Sequence, residues 1–490
     1  MEISELTEAE RRVWEAFPRG DAIDFRTSGN ESATEGADWG PERTVRAEVL
    51  RALLLDGTSA DGQVASLRVR GARVVGQLNL LHGTVTCALS LLGCHLDSAP
   101  LLFGAQLRRL YLSKCVMPGL HAGTLRVDGD LSLMDCRISG VVRMHEAKIS
   151  GSLYLNRAQL GQEGAEPDEP VLQLNRTVIG DALHATELVT YGRFRIDGAT
   201  VGGSVVLTGA RLSNPGEDSL QAEGITVGSD LLADGMAVRG RINLRGGEIP
   251  GRMVLSYGRL SNPGGTALRA SSCTIGELWL RAPLRVEGSL NLRRSRLDLL
   301  HIAPESWPAQ VQLDGLTYTA LGPHEPAERR LPLLERETDG YVPHAYEQLA
   351  AAYRRIGDDA AVRTVQLAKQ RRHRATLAWY GKAWGHLQDI TVGYGFRPTR
   401  AAAWLLSLLL IGAVTYAIRE PLPLKADEAP HFNPVFYTLD LLLPIVDFGQ
   451  ERHFSPDNSG LQWLAYALVI MGWILATTIV AGVTRSVSRQ

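Results

Sequence analysis

"VDGDLSLMDCRISGVVRMHEAKISGSLYLNRAQL", residues 127–160, carries a Gly-x-apolar-x-apolar unit that returns every eleven residues. Its first apolar members are Leu131, Val142 and Leu153, each two positions after Gly129, Gly140 and Gly151. Between these units sits a small-x-aliphatic step, seen at Cys136/Ile138, Ala147/Ile149 and Ala158/Leu160. Two-residue alternation broken by glycine at fixed intervals describes short strands joined by tight corners. The spacing recurs at Leu183, Phe194 and Val205, then at Leu220, Leu231, Ile242 and Met253.

Two units make a rung of 21 or 22 residues, the size of one coil of a β-helix. The small-x-aliphatic step is similar to a degenerate pentapeptide repeat, with eleven residues where that repeat has ten. Stacked rungs bury a continuous aliphatic column and satisfy each backbone against the next. About ten rungs at ~4.8 Å predict a rod roughly 50 Å long. "QLGQEGAEPDEP", "RLSNPGEDSL" and "RLSNPGGTAL" interrupt the period and read as loops ejected from one edge.

The expected architecture is mainly β: a right-handed-type β-helix (a pentapeptide-like solenoid), then a helical connector and two transmembrane helices. Residues 1–62 read as a helical cap, 63–318 as the solenoid, 319–396 as a helical-hairpin connector and 397–490 as a transmembrane hairpin. "WGPERTVRAEVLRALLLDG" reads as a capping helix begun by proline and ended by glycine, covering open strand edges. The connector resembles one tetratricopeptide-type hairpin around "IGDD". "AAAWLLSLLLIGAVTYAI" (401–418) and "LQWLAYALVIMGWILATTIVAGVT" (461–484) are uncharged over 18 and 24 residues, long enough to span hydrocarbon. Residues 363–400 hold eight Arg/Lys against one acid, whereas 419–460 hold three basic and seven acidic residues. That asymmetry places both termini in the cytoplasm of a bacterial inner-membrane protein. The acidic start "MEISELTEAERRVWEAF" has no apolar h-region, so no cleavable signal peptide is expected.

"DITVGYGFRP" (389–398) contains the letters of a potassium-channel filter. The basic stretch before it cannot span, and the charge count puts it on the cytoplasmic side. It reads instead as a juxtamembrane turn. "FYTLDLLLPIVDFG" lies between the two apolar segments, where a pore helix and its loop would lie. Asp440 and Asp447, seven residues apart, would share a helical face as acids of a pore ring or of an interfacial helix. Segment 432–448 (within 431–451) is therefore re-entrant or interfacial. Lys369, Arg371, Arg372 and Arg374 form a basic cluster suited to anionic lipid head groups, or to fixing topology alone.

Cys94, Cys115 and Cys136 stand 21 residues apart, one per rung. That spacing predicts a ladder, with either a redox role or simple replacement of alanine at a small inward position. No dinucleotide fingerprint, Walker loop, nucleophile elbow or H-E-x-x-H is present. Neither a cofactor nor a catalytic residue is expected, and a net charge of -2 gives no reason to expect nucleic acid.

The order "FPRGDAIDFR", "LRVRGARVVGQLNL", the Gly-x-Leu-x-Leu rungs, "YEQLAAAYRRIGDDAAVRTVQLAKQRR", "GYGFRPTRAAAWL" and "NPVFYTLDLLLPIVDFGQE" resembles an actinobacterial family labelled membrane-associated oxidoreductase. The resemblance covers essentially the whole chain. It implies a solenoid joined to a C-terminal membrane module, and its label implies redox chemistry, yet no residue here matches a catalytic or cofactor motif. The residues themselves point to a membrane-anchored binding or scaffold protein with an unidentified protein partner. The alternatives are an oligomeric channel-like effector and the oxidoreductase of the label.

Overall fold

The computed structural model describes residues 5–29, 31–165, 168–281, 283–379, 398–425, 429–443 and 446–487. The chain divides into two compact units, Met1–Ala352 and Tyr353–Gln490.

The first unit is a parallel β-solenoid of about 12 turns. One inward column runs from Leu67 through Leu89, Leu110, Leu131, Leu153 and Leu183 to Val205, Leu231, Met253, Leu278 and Leu300. Each of these side chains is at most 3% exposed. A second column on the other sheet aligns Leu120, Val142, Leu172, Phe194, Leu220 and Ile242 in the same way. The first apolar member of every eleven-residue unit therefore points into the rod, as the spacing predicts. The core is a thread of aliphatic side chains, which explains why nine Phe and nine Trp suffice for 490 residues.

Two kinds of corner turn the chain, and one of them is tight enough to favour glycine. Beside Gly180, Gly202 and Gly228 the next coil lies so close that an added Cβ would come within 2.2 Å of a carbonyl oxygen. The other corner precedes the small inward residue and takes left-handed backbone. Gly209 and Gly235 occupy it at φ 67° and 69°, but so do Asp135, Glu146 and Arg157 at φ 55–58°. Left-handed backbone costs a non-glycine residue about 1 kcal/mol or more, which the stacked hydrogen bonds on either side offset.

The structure corrects three details. The "RLSNPG" stretches are extruded within continuous strands rather than between them: Arg211–Gln221 and Arg259–Arg269 each carry a bulge. In each, an asparagine closes the bulge, with Asn214 donating to the Asp218 carbonyl and Asn262 to the Thr266 carbonyl, both at 2.8 Å. The capping helix begins at Ala47, because Thr44–Arg46 already pairs as a strand with Arg73–Val75. Ala22–Asp24 likewise pairs with Arg68–Arg70, so the expected helical cap also supplies the first coil.

Glu10 anchors that cap. It is 1% exposed, and its carboxylate accepts from the Arg46 Nε and Nη2 at 2.8 Å and from the backbone N–H of Thr7 and Arg46 at 3.0 Å. The far end is closed by the segment after the last strand. There Glu337 accepts from the Leu313 N–H at 2.7 Å, and Arg336 donates to the Trp307 and Pro308 carbonyls at 3.1 Å. Helices then follow at Pro343–Arg355 and Asp359–Thr376, as expected around "IGDD".

In the second unit the helices Pro398–Ile418 and Ser459–Val487 flank a short one, Pro434–Leu442. Among the described residues one helix, Ser459–Thr477, is long and apolar enough to cross a membrane, whereas the apolar stretch Ala402–Ile418 is shorter. Of the two expected spanning helices, one has the length and apolarity to cross a membrane among the described residues. "TVGYG" (391–395) lies outside the described residues.

Candidate functional site

The second unit is organised around the string "NPVFYTLDLLLPIVDFGQE". Asn433 caps the short helix by accepting from the Val435 and Phe436 N–H groups at 3.0 and 3.3 Å, and Pro434 follows where no N–H is needed. Asp440, 6% exposed, turns back toward the chain that follows the helix. It accepts from the backbone N–H groups of Phe448, Gln450 (2.7 Å) and Glu451 (3.2 Å). Gln450 completes the ring: its Oε1 accepts from the Asn433 N–H at 3.1 Å, and its Nε2 donates to the His431 carbonyl at 3.2 Å.

This overturns the expectation that Asp440 and Asp447 share one helical face. The helix ends at Leu442, shortly before Pro444, so Asp447 is not on it. Asp447 accepts from the Gly449 N–H at 2.8 Å and pairs with Arg452 at 2.5 Å. Beside both acids, Glu451 has its carboxyl raised above the ordinary range, by burial first and by the two neighbouring charges after it.

The short helix is wedged between its long neighbours. Tyr416 donates to the Leu461 carbonyl at 3.2 Å and meets Tyr437 edge-on at 4.8 Å. A Cβ on Gly412 would lie 2.3 Å from Thr438, and one on Gly472 would lie 2.1 Å from the Leu442 carbonyl oxygen. Gly412 also packs against Leu468, so the long helices run antiparallel. Gly472 is one helical turn beyond Leu468, or about 6 Å further along. The C-terminal end of the short helix therefore reaches deeper between the long helices than its middle does. Outward, Leu406, Leu410, Ile411 and Val414 of one long helix and Trp463, Tyr466, Ile470 and Trp473 of the other are exposed.

Lys369, Arg371, Arg372 and Arg374 all lie on the Asp359–Thr376 helix, half-buried or exposed.

The cysteine ladder forms in register. Cys94, Cys115 and Cys136 are fully buried and free, with the Val116 N–H donating to the Cys94 carbonyl at 3.0 Å and the Arg137 N–H to the Cys115 carbonyl at 2.9 Å. Ala72 and Ala158 continue the column on either side, which fits cysteine standing in for alanine. The neighbouring Cys115 thiol, then burial, hold Cys94 well above the ordinary thiol range, and burial does the same for Cys115. A protonated thiol is a poor nucleophile and a poor metal ligand. Among the described residues, no group of three or more His, Cys, Asp or Glu is placed to hold a metal ion.

The outside of the rod is chemically uneven. One outward column is polar, with Arg143, Gln173, Arg195 and Gln221 in register. Another is apolar, with Tyr154, His184, Val206, Leu232, Val254 and Trp279 in register and half-buried. The Tyr154 and His184 rings stack at 4.9 Å and 7°. Near the first coils, a pocket of about 710 Å³ is lined by Arg19, Arg68, Arg108 and Arg109. Sequence reading missed this pocket, because its members are distant in the chain and meet only once the coils stack.

Comparisons with protein-family models, with curated proteins and with solved structures find no match.

Proposed function

We propose that the protein is a membrane-anchored solenoid scaffold, whose coils serve as a binding surface and whose C-terminal unit holds it in a bacterial inner membrane. The observation that carries this reading is the outward face of the Ser459–Thr477 helix. Trp463, Tyr466, Ile470 and Trp473 are 51–74% exposed, an apolar face that lipid would cover. The charge asymmetry across 363–460 supports cytoplasmic termini, and the cluster Lys369, Arg371, Arg372 and Arg374 suits anionic head groups on that side. An anchor of this kind is tested by charging its outer face. Ile470→Arg combined with Trp473→Arg is expected to move the protein out of the membrane fraction. Retention equal to wild type would overturn the reading.

A second reading, an oligomeric channel-like effector, is favoured by the wedged short helix. An element that enters between two apolar helices, dips and returns has the course of a re-entrant segment. In this reading the Asp440 carboxylate holds the returning loop, and Asp447, the more exposed acid, is left to face ions. Ion flux through proteoliposomes that falls with Asp447→Asn would support it, and absence of flux would count against it. The oxidoreductase label of the resembled family remains a proposal of the same kind. A cofactor co-purifying in native mass spectrometry would support it, although the buried thiols do not.

A further inference from the structure

The arginine-lined pocket on the first coils carries an inference of its own. Several outward arginines of the rod pair with an acid on the neighbouring coil, as in Arg73–Asp97 (2.9 Å), Arg157–Asp135 (2.7 Å) and Arg252–Asp230 (2.9 Å). Arg68, Arg108 and Arg109 do not, and all three line the same pocket. Among the described residues none of the three has an acid within ion-pairing distance, and the pocket they line contains one acid, Asp128. Like charges gathered this closely repel one another, so the arrangement costs stability unless an anion joins it.

The shape of the site also favours a ligand. Ser66 pairs with Ala88 and Ala88 with Arg109, so arginines from two coils, Arg68 and Arg109, border a lining that includes the small residues Ser66, Cys87 and Ala88. Gly129 leaves room for Arg109, since a Cβ there would sit 3.1 Å from the Arg109 Cγ. Gly20, at φ 72° and with a would-be Cβ 2.5 Å from the Val64 carbonyl oxygen, lets the Arg19 turn close the rim. Guanidinium forks match the oxygens of a phosphate group two at a time. We propose that this pocket is a binding site for a phosphate-bearing ligand, whether a free phosphate compound or the head group of an anionic lipid.

The test uses full-length protein in an uncharged detergent, with calorimetric titration of three probes. Inorganic pyrophosphate represents the free ligand, and short-chain phosphatidylglycerol, with short-chain phosphatidylcholine as its control, represents the head group. The third is a single-stranded oligonucleotide. One saturable site per chain for pyrophosphate or for phosphatidylglycerol is expected, weakened at least tenfold by Arg68→Ala combined with Arg109→Ala. Arg126→Ala combined with Arg296→Ala, on the same sheet outside the pocket, should leave the affinity unchanged. All four positions are exposed, so unchanged melting temperatures should accompany these results. The proposal is overturned if neither phosphate probe binds saturably, if both double variants bind alike, or if only the oligonucleotide binds.

Discussion

Asp440 and Gln450 hold each other in place: the Asp440 carboxylate accepts the Gln450 backbone N–H at 2.7 Å, while the Gln450 side chain reaches back to the Asn433 N–H at 3.1 Å. The start of the short helix, its last turn and the chain that returns from it are thereby tied into one ring. Asp440→Ala leaves three backbone donors without their acceptor, a loss of about 3 kcal/mol. Thermal melting in detergent should fall sharply for Asp440→Ala and barely for Asp447→Asn, whose partner Arg452 is 77% exposed. Equal effects would contradict the assignment of Asp440 to loop anchoring.

The two kinds of corner make opposite demands. Gly202→Ala pushes a methyl to 2.2 Å from the Gly180 carbonyl oxygen and should destabilise the solenoid by roughly 2–3 kcal/mol. Gly235→Ala meets nothing within 4 Å and has only the left-handed backbone to accommodate, so it should lose about 1 kcal/mol. Asp135→Gly, at the same kind of corner, relieves that strain but also removes the two hydrogen bonds from Arg157, so its stability should change by less than about 1 kcal/mol. Denaturant midpoints of the three variants check the order.

Acid should loosen the cap through Glu10. Burial alone would raise its carboxyl, but the hydrogen bonds from Arg46 outweigh it and hold the folded value at about 2, against 4.5 when unpaired. A depressed carboxyl contributes stability that is fully present above pH 4.5 and is lost as pH falls towards 2. Its size is about 2 kcal/mol after allowing for the half-exposed Arg46. Glu10→Gln should lose that amount at neutral pH and show a flatter stability profile between pH 4.5 and 2.

Thiol chemistry separates the ladder from its neighbour. Cys87, 8% exposed, should react first with an aromatic disulfide reagent, while Cys94, Cys115 and Cys136, at 0%, should react only on unfolding. Labelling mapped by mass spectrometry decides it. Rapid modification of Cys115 in the folded protein would contradict the buried ladder.

Much of the solenoid was legible because an inward position repeats. Leu131, Val142 and Leu153 announce the coil, since each must be apolar whatever its neighbours are. The left-handed corner was not legible, because Asp135, Arg157 and Gly209 serve it alike. "RLSNPG" marked an interruption, yet only the Asn214 side chain closing back on Asp218 shows that the strand continues through a bulge. Asp440 stood out as a notable acid, but its hold on the returning loop was not legible, because its partners are backbone amides that leave no letter in the sequence. The Arg68–Arg109 pocket needed two coils to stack before it existed.

Alkaline carbonate extraction of membranes from cells producing the full chain tests the central claim most directly. The protein is expected to stay in the pellet and to leave it only with detergent. Release into the carbonate supernatant would contradict it, because a helix covered by lipid along Trp463, Ile470 and Trp473 cannot be washed out by breaking ionic contacts.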